Sequence, residues 1–166
     1  MLITMPFALS WQSHKITKKP QNPGIKKVLP VTEENPGEDG SPIIEFSDPK
    51  FLEALLRPCI PYPDMNGDGR ISEKEAASIF AISCNSFEIK DISEIRYFTN
   101  LEQLCCHENL LADLDLSGKL CILKVNCSDN PLEKVILPSG HFKDYTIVEQ
   151  IAESIREEYG DIVEYR

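Results

Sequence analysis

The sequence predicts an α/β fold: a short curved solenoid of stacked repeats closed at its N-terminal end by a helical cap. Three observations carry this expectation. Apolar residues recur every 21 or 22 positions from Ile79 onward; an oxygen-rich turn at 64–75 lies between two helix signals; and Ile147, Ile151 and Ile155 follow the last repeat at helical spacing. A chain of 166 residues holds one domain with an ordinary core, plus tails. The divisions read from the sequence are a possible signal remnant and linker (1–42), a helical cap (43–80), the repeats (81–142) and a C-terminal helix and strand (143–166).

Met1 to Ser13 is mildly apolar, and Ala8-Leu9-Ser10 has the small-x-small form of a cleavage site, but no basic residue precedes the apolar run. A remnant of a secretion signal and an ordinary start both fit. Residues 14–42 carry Pro20, Pro23, Pro30, Pro36 and Pro42 among Lys, Glu, Asn and Gly, which reads as a linker that cannot offset its ordering entropy.

Ordered structure is expected from Ile43, with Ile44 and Phe46 alternating as in a short strand. Ser47 or Asp48 then caps a helix that has Pro49 at its first position and Phe51, Leu52, Leu55 and Leu56 on its apolar face. Pro58, Pro61 and Pro63 stop that helix before the oxygen-rich turn. In the turn, Asp64, Asn66 and Asp68 occupy positions one, three and five, and Gly69 stands at six. Arg70 offers a carbonyl at seven, Ser72 acts through water at nine, and Glu75 reaches in at twelve. This is the spacing of an EF-hand calcium loop, since a hard cation takes six to eight oxygens from a chain that curls once around it. The plain alternative is a polar turn before a helix capped by Ser72. The exit helix is expected over Ser72 to Phe80, with Ala76, Ala77 and Phe80 inward. The broken incoming helix disfavours a calcium-responsive switch, which stays as the second reading.

Shifting the chain on itself by 21 residues sets Leu101 over Ile122, Leu104 over Val125, Cys106 over Cys127 and Asn109 over Asn130. Leu111, Leu114 and Leu116 fall over Leu132, Val135 and Leu137, and an earlier unit (Ile82, Cys84, Ile89, Ile92) fits at a shift of 22. The resulting pattern, L-x-x-L-x-C-x-x-N-x-L-x-x-L, resembles the leucine-rich repeat with cysteine in one core slot. Residues 43–137 are similar to short leucine-rich-repeat proteins of Bacteroidetes and to bacterial surface proteins that place a calcium loop before the repeats. The resemblance implies a partner-binding solenoid and no reaction. Each repeat stacks on its neighbours, with Asn109 and Asn130 bonding the bend and the adjacent repeat, and Phe87 replacing asparagine in the first unit.

Strand alternation turns Ala81, Ser83 and Asn85, Gln103, Cys105 and His107, and Lys124, Asn126 and Ser128 outward as one grid, the expected face for a protein partner. Cys84, Cys106 and Cys127 read as core thiols. Cys105 with His107 lacks a third group to orient the imidazole, so catalysis is not expected. Asp113 and Asp115 lie side by side on one short segment rather than across a cleft, which reads as a solvated face and gives little support to glycan processing.

The formal charge of −10 argues against nucleic acid as a partner, and no apolar run is long enough to span a bilayer. Residues 1–31 hold five lysines and no acid, so a basic tether precedes an acidic domain. A calcium site and a signal remnant fit a secreted or cell-surface protein, whereas free core cysteines fit a reducing compartment.

Overall fold

The computed structural model describes residues 37, 40–58, 61–139 and 145–166. The expectations for the signal remnant, and for all of the linker but Gly37 and residues 40–42, lie outside the described residues, as does Cys59. In chain order the elements are α1 (Pro49–Leu55), α2 (Glu73–Ser78), β1 (Ala81–Ser83), a 3-10 helix (Ser93–Tyr97), β2 (Gln103–Cys105), β3 (Asp113–Asp115), β4 (Lys124–Asn126), β5 (Lys134–Leu137), α3 (Tyr145–Tyr159) and β6 (Val163–Tyr165). Together they form a mixed α/β fold with two small parallel sheets, ordered β1-β2-β4 and β3-β5-β6.

The pairing follows the internal repeat. Ala81 stands beside Gln103, which stands beside Lys124, and Asp113 stands beside Lys134. Each 21- or 22-residue turn of the chain therefore lays a strand next to the strand of the turn before. The inward positions are filled as the alternation requires: Ile82, Leu104, Leu111, Leu114, Leu116, Ile122, Val135 and Leu137 are buried, while Val125 is half-buried. Cys84, Cys106 and Cys127 are buried where the strands end, and burial pushes the Cys84 thiol up to about 12 and that of Cys127 to about 11.

Two buried asparagines tie the turns together. Asn109 Oδ1 accepts the amides of Phe87 and Ile89, and its Nδ2 donates to the carbonyls of Cys84, Cys106 and His107. Asn130 repeats this one turn later, accepting from Leu111 and donating to Cys106, Cys127 and Ser128. A left-handed residue precedes each asparagine and the corresponding Phe87: Glu108 (φ 54°), Asp129 (φ 54°) and Ser86 (φ 63°). Ser86 and Glu108 send their amides to carbonyls of the next turn, His107 and Ser128. Asp129 has no further turn to use, so its amide bonds Glu158 Oε1 of α3. The Tyr159 hydroxyl likewise takes the Asn130 amide and donates to the Cys127 carbonyl. Helix α3 thus supplies polar atoms that a fourth turn would otherwise provide.

The cap packs on the first turn through aromatic and polar contacts. Asp48, rather than Ser47, caps α1 by accepting from the Lys50 amide, and Pro49 opens the helix. Phe51 is fully buried, with its ring 5.5 Å from that of Phe46 and 6.4 Å from that of Phe98. Burying such a ring stabilises by about 1.5–3 kcal/mol. Asp48 also accepts the Lys90 amide, and Arg57 lies over Phe87 at 4.2 Å.

Two local expectations require correction. Ile44 and Phe46 form no strand; Ile43 makes a single antiparallel bridge to Ser72, and the Ile44 amide donates to the Ile71 carbonyl. Phe80 is 49% exposed instead of inward, because α2 ends at Ser78 and its C-cap residue Ile79 is already extended (ψ 130°). In extended chain the buried Ile79 and its neighbour face opposite ways.

Candidate functional site

The outward side chains of β1, β2 and β4 and of the residues just after them make one face. Parallel register aligns them in rows: Ala81, Gln103 and Lys124; then Ser83, Cys105 and Asn126. Asn85, His107 and Ser128 extend the same alternation. Ser83, Gln103 and Lys124 are exposed and the other six are half-buried. None of the nine is a carboxylate, in a chain with 27 acidic residues, so the face is polar with one lysine and one imidazole.

Hydrogen bonds within this face are local. Ser83 donates to Asn85 Oδ1 at 2.8 Å. Ser128 donates both its amide and its hydroxyl to Asn126 Oδ1, and Asn126 Nδ2 meets His107 Nδ1 at 3.3 Å. The imidazole does therefore have a third group beside it, contrary to expectation, because Asn126 arrives from the neighbouring strand. The arrangement is still not a nucleophile site. Asn126 occupies Nδ1, and among the described residues no hydrogen bond joins Cys105 to His107.

The oxygen-rich loop is built as a closed turn. Asp64 is 2% exposed and Glu75 is 4% exposed. Asp64 accepts the amides of Gly67, Asp68 and Gly69. Glu75 accepts those of Met65, Asn66 and Ser72 together with the Ser72 hydroxyl, completing a capping box with Ser72. Asn66 accepts from Asp68, and Asp68 accepts from Arg70 while its other oxygen pairs with the Arg70 guanidinium at 3.0 Å. Gly67 and Gly69 take φ of 74° and 79°, where a side chain would be strained.

As a cation site, the donor set suits calcium by chemistry: the oxygens stand in loop order, and neither buried carboxylate pairs with a lysine or arginine among the described residues. Their oxygens are directed at the loop's own amides. Among the described residues no three His, Cys, Asp or Glu side chains converge as ligands.

Other groups were not anticipated. Lys119 is 2% exposed and its Nζ donates to the carbonyls of Arg96 and Phe98, both at 3.1 Å, at the end of the 3-10 helix. Burial pushes its ammonium down to about 8, opposed by Asp115. Glu94 is also 2% exposed; Oε1 accepts the Ser47 amide and hydroxyl and the Ser93 hydroxyl, while Oε2 has no hydrogen-bond partner among the described residues. A sequence signal existed for Lys119, since the 21-residue shift sets it over the core residue Phe98. Asp113 and Asp115 are exposed on one side of β3, and Asp115 accepts the Ser117 amide.

No protein-family model matches the chain, and comparison with curated proteins gave no match. Among solved structures it is similar to the CBM51-2 and INT domains of Clostridium perfringens ZmpB, in complex with GlcNAc (19% identity, 57% of this chain and 18% of that one, TM-score 0.43). It is also similar to two Listeria monocytogenes proteins: an internalin, inlF (18% identity, 61% and 33%, TM-score 0.42), and internalin C2 (17% identity, 72% and 57%, TM-score 0.42). The chain thus spans 18% to 57% of the length of these structures. The likeness is distant, and the repeat architecture rests on the chain's own strand pairing.

Proposed function

We propose that the chain is a non-enzymatic protein-interaction module of the leucine-rich-repeat type, binding its partner on the face of β1, β2 and β4. The observation that carries this reading is the polar face of nine side chains, six of them in parallel register, over a continuous apolar core, with no assembled catalytic group on it. Calcium is the proposed structural cofactor of the cap. Asp64, Asn66, Asp68, Ser72 and Glu75, with the Arg70 carbonyl, would hold it and neutralise the two buried carboxylates. A secreted or cell-surface setting, where calcium is abundant, belongs to the same proposal.

The test is selection of displayed peptides on the immobilised protein, followed by rescreening on a variant with Gln103, His107 and Lys124 all changed to alanine. Loss of the selected peptides, with the variant's melting temperature within a few degrees of the wild type, supports the face. Retained binding removes it.

A further inference from the structure

We propose that His107 serves the strand face as a hydrogen-bond donor held in one tautomer, with Asn126 and Ser128 as its positioning residues. This deepens the binding-face reading and rests on it for its biological use. The argument is an accounting of donors. The Ser128 backbone amide can only donate, and it points at Asn126 Oδ1 at 3.3 Å, while the Ser128 hydroxyl donates to the same oxygen at 3.0 Å. The backbone bond fixes which end of the Asn126 amide is oxygen, and the hydroxyl, which can donate or accept, is compatible with it. The other end, Nδ2, has only protons to offer, and it lies 3.3 Å from His107 Nδ1. Nδ1 must therefore accept, and the neutral ring carries its proton on Nε2.

Among the described residues nothing bonds Nε2, so its N–H is offered outward from a half-buried ring. The partner atom that fits is an acceptor oxygen, a carbonyl or carboxylate. The titratable and charged groups on the segments beside the ring are Cys105 at the end of β2, Glu108 next to His107 in the chain, Glu88 after β1, Lys124 at the start of β4 and Asp129 after β4. Glu108 is engaged by the Ser86 hydroxyl at 2.7 Å and Glu88 by Lys50. A second proton on the ring would set Nδ1–H against Asn126 Nδ2–H. Asn126 cannot turn over without losing the bond from the Ser128 backbone amide. A ring protonated on both nitrogens therefore cannot keep this contact.

The experiment is nitrogen-15 NMR of the full chain, without any partner. At pH 8 the wild-type His107 should be protonated at Nε2 only, and Asn126→Asp should move the proton to Nδ1, where a carboxylate accepts it. In the wild type the Asn126 side-chain amide signal should shift with the His107 ring between pH 8 and pH 5. An unchanged tautomer in a folded Asn126→Asp variant, or an Asn126 signal that ignores the ring, overturns the proposal. The wild-type titration decides the matter even if the variant does not fold. Failure of peptide binding would leave these readings untouched, so the two proposals fall separately.

Discussion

Asn109 Nδ2 reaches back one full turn of the chain to the Cys84 carbonyl, 2.8 Å away, while bonding the Cys106 carbonyl of its own turn at 2.9 Å. One side chain thus sets the spacing of two strands. Replacing it by alanine leaves several buried backbone groups without partners, each costing about 1–3 kcal/mol. Asn109→Ala is expected to destabilise by about 3 kcal/mol in urea unfolding, whereas Asn85→Ala on the outer face should stay within about 0.5 kcal/mol.

Of the two polar side chains that α3 offers the last turn, Glu158 and Tyr159, the tyrosine makes two bonds through one oxygen. Tyr159→Phe removes the donor to the Cys127 carbonyl and the acceptor of the Asn130 amide. A loss of about 1–2 kcal/mol in unfolding free energy is expected. A neutral result would mean that α3 closes the sheet without help from the Tyr159 hydroxyl.

Calcium should raise the melting temperature measured in millimolar calcium over that in excess chelator. At about 100 times its dissociation constant a ligand adds roughly 2.7 kcal/mol, a shift of several degrees. Asp68→Ala should abolish the shift. An equal melting temperature in both buffers would reduce residues 64–75 to a turn held by its own amides.

Lys119 gives a pH dependence whose sign is fixed. Its folded pKa of about 8 lies below the ordinary lysine value of about 10.4, so between them the unfolded chain binds more protons. The lysine's contribution to stability therefore rises with pH across that window and is flat below it. Unfolding free energies of wild type and Lys119→Met, compared from pH 7 to 10.5, should diverge in favour of the wild type above about pH 8.

Thiol labelling separates the cysteines by environment. Cys84, Cys106 and Cys127 are buried and their thiols are pushed up by burial, while Cys121 is exposed and Cys105 half-exposed. Cys121 and Cys105 should label in the native protein and those three only after unfolding.

Much of the fold was legible because its signals are periodic. Leu104 and Cys106 recur as Val125 and Cys127, and that recurrence is what brings β2 beside β4. The asparagine positions, the Ser72 capping box, α3 and the final strand also follow local rules. What escaped was cross-strand or set by a helix end. The contact of Asn126 with His107 depends on which side-chain atoms face each other between strands, which spacing does not specify. Phe80 turned outward because α2 stopped at Ser78, two residues earlier than its apolar pattern suggested. Lys119 and Glu94 belong to residue types that are mostly exposed, so nothing in their identity announced that carbonyls and hydroxyls receive them inside the fold.

The central claim, that the partner sits on the strand face, is tested most directly by amide chemical-shift mapping with a peptide selected on the wild-type protein. The account predicts shifts concentrated at residues 81–85, 103–107 and 124–128. Shifts centred instead on β3, β5 and β6 or on α3 would contradict it.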